Sequence, residues 1–142
     1  MTRAVLDTNL VLSGLINPAG KPARLLRLAG DRFVLISTPA IVVECRRVLD
    51  RPKLQKALGP RAASASAVLD RLTSIAHLVS PELLAGVRVV PEGPDDDVLF
   101  DTAMAGGAKF IVSGDAAVLT VGNFAGVMVV SAGEFLASLG EP

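Results

Sequence analysis

The chain has 142 residues with 14 Lys and Arg against 14 Asp and Glu, so its formal net charge is zero and it lacks the global polycation of an indiscriminate nucleic-acid binder. Five Phe with no Trp or Tyr supply little for base-stacking platforms, and the single cysteine, Cys45, excludes an internal disulfide. This length suits one domain, residues 1–142, able to bury about two-thirds of its unfolded surface.

Arg3 to Asp7 reads as a buried strand, an aliphatic run that ends abruptly in an acid. Asp7 and Asn9 interrupt the apolar start, unlike a secretory leader, and no apolar run approaches the roughly 20 residues that cross a bilayer. A soluble, cytoplasmic protein without membrane contact is expected. Leu10 to Leu15 fits a short helix closed by Asn17-Pro18-Ala19-Gly20, and Pro22 opens a second helix that Gly30 ends. Phe33 to Ser37 is the second strand run; Thr38-Pro39 then caps a helix through about Leu49.

Arg51-Pro52 and Gly59-Pro60 bracket a short helix, and apolar spacings of three and four predict a further one from Ala62 to about Leu78. Val87 to Val90 reads as a third strand, and Asp95-Asp96-Asp97 opens a helix running to Gly106-Gly107. Phe110 to Val112 and Val127 to Val130 are the fourth and fifth strands, with a last helix over Ala132 to Leu139. Five strand runs separated mostly by helices predict an α/β fold: right-handed crossovers and a parallel sheet covered on both faces.

Acids recur where strands hand over to the next element. Asp7 closes the first strand, Asp115 follows the fourth within Ser113-Gly114-Asp115, and Glu44 lies on the helix after the second. Each has an ordinary structural use: Asp7 as a helix cap, Glu44 as a solvated helical residue, Asp95 to Asp97 as complements to a helix dipole. Carboxylates gathered at one sheet edge repel one another unless a cation neutralises them, and hard oxygen donors select Mg²⁺ or Mn²⁺. One Cys and one His, Cys45 and His77, supply a zinc site poorly and lie in different helical segments.

Val5-Leu6-Asp7-Thr8-Asn9, Glu44 within Ile41-Val42-Val43-Glu44-Cys45, Pro94-Asp95-Asp96-Asp97-Val98-Leu99 running into Thr102-Ala103, and Ile111-Val112-Ser113-Gly114-Asp115 together resemble the four blocks of the PIN-domain ribonucleases. The stretch from Gly126-Val127 to Gly133-Glu134-Phe135-Leu136 resembles the family too, and the likeness is nearest to its VapC-like toxin branch. The resemblance implies a three-layer α/β/α PIN-like fold around a five-stranded parallel sheet, frequent homodimers, a cognate antitoxin partner, and RNA cleavage dependent on one or two Mg²⁺ or Mn²⁺ ions. Its four acids fall on Asp7, Glu44, Asp96 and Asp115, with Asp97 the alternative to Asp96. Thr8, Asn9 and Ser113 would orient ligands or waters, and Arg46, Arg47, Arg51 and Lys53 offer charge for an RNA backbone. Two positions depart from the pattern: Ala116, Ala117 and Val118 stand where relatives often carry a further acid, and Gly93 replaces a frequent Asp.

Three other readings use the same residues. A phosphatase with Asp7 as nucleophile would want a second acid at Asn9; a receiver module would want a Lys after a late strand, whereas Lys109 precedes one. A regulatory, partner-binding protein of the same fold with a weakened site would account for the missing acid after Asp115.

Overall fold

The computed structural model describes residues 1–80 and 97–141, so the Val87–Val90 strand expected from sequence lies outside the described residues. β1 (Arg3–Leu6) leads into α1 (Thr8–Ile16) and α2 (Lys21–Leu28), then β2 (Val34–Ser37) into α3 (Pro39–Leu49). α4 (Pro52–Leu58), a 3₁₀ turn and α5 (Ala62–Ile75) precede the short β3 (His77–Leu78). After the undescribed segment come α6 (Asp97–Gly106), β4 (Phe110–Val112), α7 (Ala116–Val121), β5 (Asn123–Phe124), β6 (Val127–Val130) and α8 (Ala132–Ser138).

The strands form one six-stranded sheet in the order β3-β2-β1-β4-β6-β5. Every neighbouring pair is parallel except β5 with β6. This corrects the expected count: the described sheet has six strands, and one edge is antiparallel. The extra edge comes from a two-residue turn, Ala125 at φ +52° and Gly126 at φ +84°. Such a hairpin needs left-handed backbone at both central positions, which Asn-Gly usually announces and Ala-Gly does not. The helix expected to reach Leu78 instead stops at Ile75, because Ala76 turns to an extended ψ of 140° and His77 joins the sheet beside Ile36.

Strand residues alternate between two cores, as the pleat requires. Ala4, Leu6, Leu35 and Val112 join α1, α2, α3, α5 and α8 on one face. Phe135 sits there with Phe33 and Phe110 at ring distances of 5.1 and 5.4 Å. Val5, Ile36, Ile111 and Val129 meet α6 and α7 on the other face. The three-layer α/β/α expectation is therefore met. No helix among the described residues is long and apolar enough to cross a membrane.

Two features of this packing set the position of the candidate site. The chain leaves β1 toward β2 and β3 on one side and toward β4 and β6 on the other, so the sheet order reverses between β1 and β4. In open α/β sheets a crevice forms outside the carboxyl ends of the strands at such a reversal. On the second face, α6 approaches β2 so closely that a Cβ on Gly106 would stand 2.3 Å from Ile36 Cγ2.

Gly106→Ala is accordingly expected to lower stability by roughly 1–3 kcal/mol through overpacking. Urea denaturation should show the midpoint falling, and the loss in the Gly106→Ala, Ile36→Ala double variant should be smaller than the sum of the two single losses; an unchanged midpoint in Gly106→Ala would refute the close approach.

Candidate functional site

Asp7 is the first residue past β1, and its amide donates to Val112 O of β4 at 3.0 Å, so the β1–β4 pairing extends to the acid itself. The residue is only 7% exposed. It caps α1, accepting from the Asn9 amide at 3.4 Å, which is the use that capping chemistry alone predicted. Its second oxygen has a longer-range partner: the Ser113 hydroxyl donates to Asp7 Oδ2 at 2.7 Å.

Ser113 is fully buried at the end of β4, where its amide donates to Val130 O of β6. Its hydroxyl also accepts from the Asp115 amide at 3.0 Å. Asp115 in turn caps α7, accepting from the Ala117 amide at 2.8 Å. One hydroxyl thus links a buried acid after β1 to the acid after β4. Each carboxylate caps a helix through one oxygen and retains lone-pair capacity for other ligands. α7 itself was not expected from sequence; its six residues are too few for a periodic signal, and Asp115 with Gly122 at φ +71° delimits it.

Beside Asp115 opens a cleft of about 400 Å³ walled by Asn9, Ser13, Pro22 and Gly114 over Leu10. Thr8 is half-buried as the first residue of α1, and Asn9 is exposed.

Glu44 lies on α3, half-exposed, and both of its oxygens accept from Arg47, at 3.0 Å from Nε and 2.6 Å from Nη2. This hydrogen-bonded guanidinium, aided by the charge of Arg51, holds the Glu44 carboxyl below its ordinary range. Burial, with lesser contributions from the charges of Glu44 and Asp7, pushes the adjacent Cys45 thiol up to about 11. Cys45 is therefore a protonated core residue within electrostatic reach of both acids, and it is unsuited to nucleophilic work.

The basic group divides. Arg46 is committed to bracing α3 against α5 through Ser66 and Asp70, and Arg47 to Glu44. Arg51 and Lys53 are exposed at the α3–α4 junction. Asp96 lies outside the described residues, and Asp97 opens α6. A further buried acid, Asp101, sits one turn into α6 at 9% exposure. Asp101 was not among the acids expected from sequence, although the Thr102-Ala103 pair directly after it marks its position.

Among the described residues, no three of His, Cys, Asp and Glu cluster into a metal site. Asp7 and Asp115 are joined, and Glu44 is directed to Arg47. The donors that do converge are oxygens alone, which suits a hard divalent cation completing its shell with water and substrate phosphate. Lys109 stands before β4, on the edge opposite Asp7, so it cannot serve as the lysine of a receiver site.

The PIN domain family matches residues 3–117, most of the chain, spanning every element from β1 to the first turn of α7. The chain belongs to the PIN-domain family. The match ends ahead of the Gly126 to Leu136 stretch. An uncharacterised protein of Methanocaldococcus jannaschii is 30% identical over 114 residues, covering 80% of this PIN domain and 70% of that protein. The fold is similar to a chain in the crystal structure of VapBC2 from Rickettsia felis bound to a DNA fragment from their promoter. The TM-score is 0.55 at 14% identity, over 92% of this PIN domain and 98% of that chain.

Because Arg47 depresses it, the ionised Glu44 stabilises the fold above the ordinary carboxylate range, and that contribution is lost as pH falls through its lowered folded value. In Arg47→Ala the Glu44 carboxyl should titrate higher, at its ordinary position, when followed by NMR. A titration unmoved by the substitution would show that the ion pair does not set it.

Proposed function

We propose that this PIN domain is a Mg²⁺- or Mn²⁺-dependent ribonuclease hydrolysing RNA phosphodiester bonds, and the toxin of a type II toxin–antitoxin pair. The observation that carries the reading is the Asp7–Ser113–Asp115 linkage at the point where the sheet order reverses. PIN domains are generally nucleases, and the likeness to a VapBC2 chain supports the toxin assignment and a cognate antitoxin.

Asp7 and Asp115 would hold the ion, with Glu44 and Asp96, or Asp97 in its place, as further ligands. A bound divalent ion would stabilise charge on the phosphoryl oxygens and favour ionisation of an attacking water. Ser113 fixes the orientation of Asp7 by donating to one oxygen, which leaves the other lone pairs directed by the start of α1. Burial of Asp7 and Ser113 excludes bulk water from this side of the site. Glu44 would join the ligands only by giving up its Arg47 partner. Arg51 and Lys53, exposed beyond it, would track the RNA backbone.

A second reading, a partner-binding PIN domain with a weakened site, is favoured by one observation: α7 begins Ala116-Ala117 where a further acid would stand. Calorimetry separates the two. Mn²⁺ binding in the presence of RNA supports the nuclease, and its absence supports the weakened site.

Purified protein is expected to cleave RNA with Mn²⁺ and to stop on addition of EDTA. Ser113→Ala should weaken metal affinity or activity about 10–100-fold, the usual cost of losing a group that orients a ligand. Asp7→Asn and Asp115→Asn should cost more. Cleavage that survives EDTA, or an Asp7→Asn variant as active as wild type, would sink this mechanism.

A further inference from the structure

α1 is buried along Leu10, Val11, Leu12, Gly14 and Leu15. Its exposed polar positions before Ile16 are Asn9 and Ser13, four residues apart and therefore on one face. That face is one wall of the cleft of about 400 Å³; Gly114, Asp115 and Pro22 form the others, and Leu10 lies beneath. Among the described residues, neither the side-chain carboxamide of Asn9 nor the Ser13 hydroxyl has a hydrogen-bond partner in the protein; the Asn9 backbone N–H alone donates to Asp7. Two groups that can both donate and accept are therefore presented to a cavity whose other lining is Asp115, at its acidic end, and otherwise apolar or glycine.

The charge at the site decides which part of a nucleic acid enters. Asp7 and Asp115 repel a phosphate except through a cation, so the phosphodiester belongs at the acids and the uncharged nucleoside in the cleft. The volume lies at the small end of the roughly 300–1,000 Å³ range of ligand pockets, suiting one nucleoside rather than a stacked run. A base edge or 2′-hydroxyl can pair with Asn9 and Ser13 only when the nucleotide is splayed from a helix. We propose that this cleft is the subsite for the unpaired nucleoside adjoining the scissile phosphate, with Asn9 and Ser13 contacting it and Gly114 keeping the entrance open. This rests on the ribonuclease reading of the acids.

Gly114 makes the subsite testable without disturbing the fold. A Cβ there would meet nothing within 4 Å, and its φ is not in the left-handed region, so a larger side chain enters open space without backbone strain. Because Gly114 lines the cleft, a larger side chain there is the substitution that tests it.

The probes are adenosine and uridine 5′-monophosphates, which contain no internucleotide bond to cleave, titrated with Mg²⁺ into ¹⁵N-labelled protein and followed by NMR. The expected result is shifts of the Asn9, Ser13 and Gly114 amides that inorganic phosphate does not reproduce. Gly114→Val should weaken the affinity about tenfold or more, with the melting temperature and Mn²⁺ binding unchanged. Ser13→Leu fills the cleft from the opposite wall and should do the same, so the test stands if either variant fails to fold. Shifts identical to those from inorganic phosphate, shifts elsewhere, or undiminished affinity in the filled variants would overturn the subsite. A parallel cleavage assay separates the two claims. Mononucleotide binding in the cleft without RNA cleavage removes the ribonuclease reading and leaves the cleft a nucleotide site with no scissile phosphate beside it, whereas cleavage undiminished by filling the cleft removes the subsite alone.

Discussion

The Ser113 hydroxyl, shut away from solvent, donates to Asp7 at 2.7 Å while accepting from the Asp115 amide at 3.0 Å. A buried carboxylate survives only if it is hydrogen-bonded, and among the described residues this hydroxyl and the Asn9 backbone amide do that for Asp7. The same contact ties the end of β1 to the turn after β4, so the separation of the two acids is set by the β1–β4 register. The Ala4–Phe110 and Leu6–Val112 pairings beneath it are thus part of the site's geometry. Whatever ligand the acids take, they meet it from a sheet edge whose position the two cores fix.

Charge elsewhere on this edge is partitioned. Arg46 spends its guanidinium on the α3–α5 brace and Arg47 on Glu44, while Arg51 contributes to holding Glu44 ionised. The Glu44–Arg47 pair is half-exposed and three residues apart on one helix, a kind of ion pair that contributes little to stability and exchanges readily. A deep ion pair would have locked Glu44 away; this one leaves it available to a stronger cation. Cys45, between Glu44 and the core, is kept neutral by burial and adds no competing nucleophile.

Much of this was legible in the residues. The aliphatic runs at β1, β2, β4 and β6 marked the parallel strands, and Thr38-Pro39 marked the start of α3 through a cap the structure shows, Thr38 Oγ1 accepting from Ile41 N. Asp7 stood out because an acid at the end of a buried strand has few structural reasons to be there. Short elements were not legible: β3 and β5 have two residues each, and α7 has six, below the length at which a period of two or 3.6 can be counted. The Glu44–Arg47 pairing was also hidden, since helical spacing allows Glu44 several partners and only side-chain geometry selects one. Asp101 was obscured for another reason: the run Asp95-Asp96-Asp97 a turn upstream is the more conspicuous group of acids.

The central claim is that Asp7 and Asp115 share one divalent cation at the reversal of the sheet. Anomalous scattering from crystals grown with Mn²⁺ tests it directly. The account predicts a peak about 2.0–2.3 Å from a carboxylate oxygen of at least one of these acids, the other within direct or water-bridged reach. A well-occupied Mn²⁺ peak remote from both, or no peak at saturating Mn²⁺ and RNA, would contradict it.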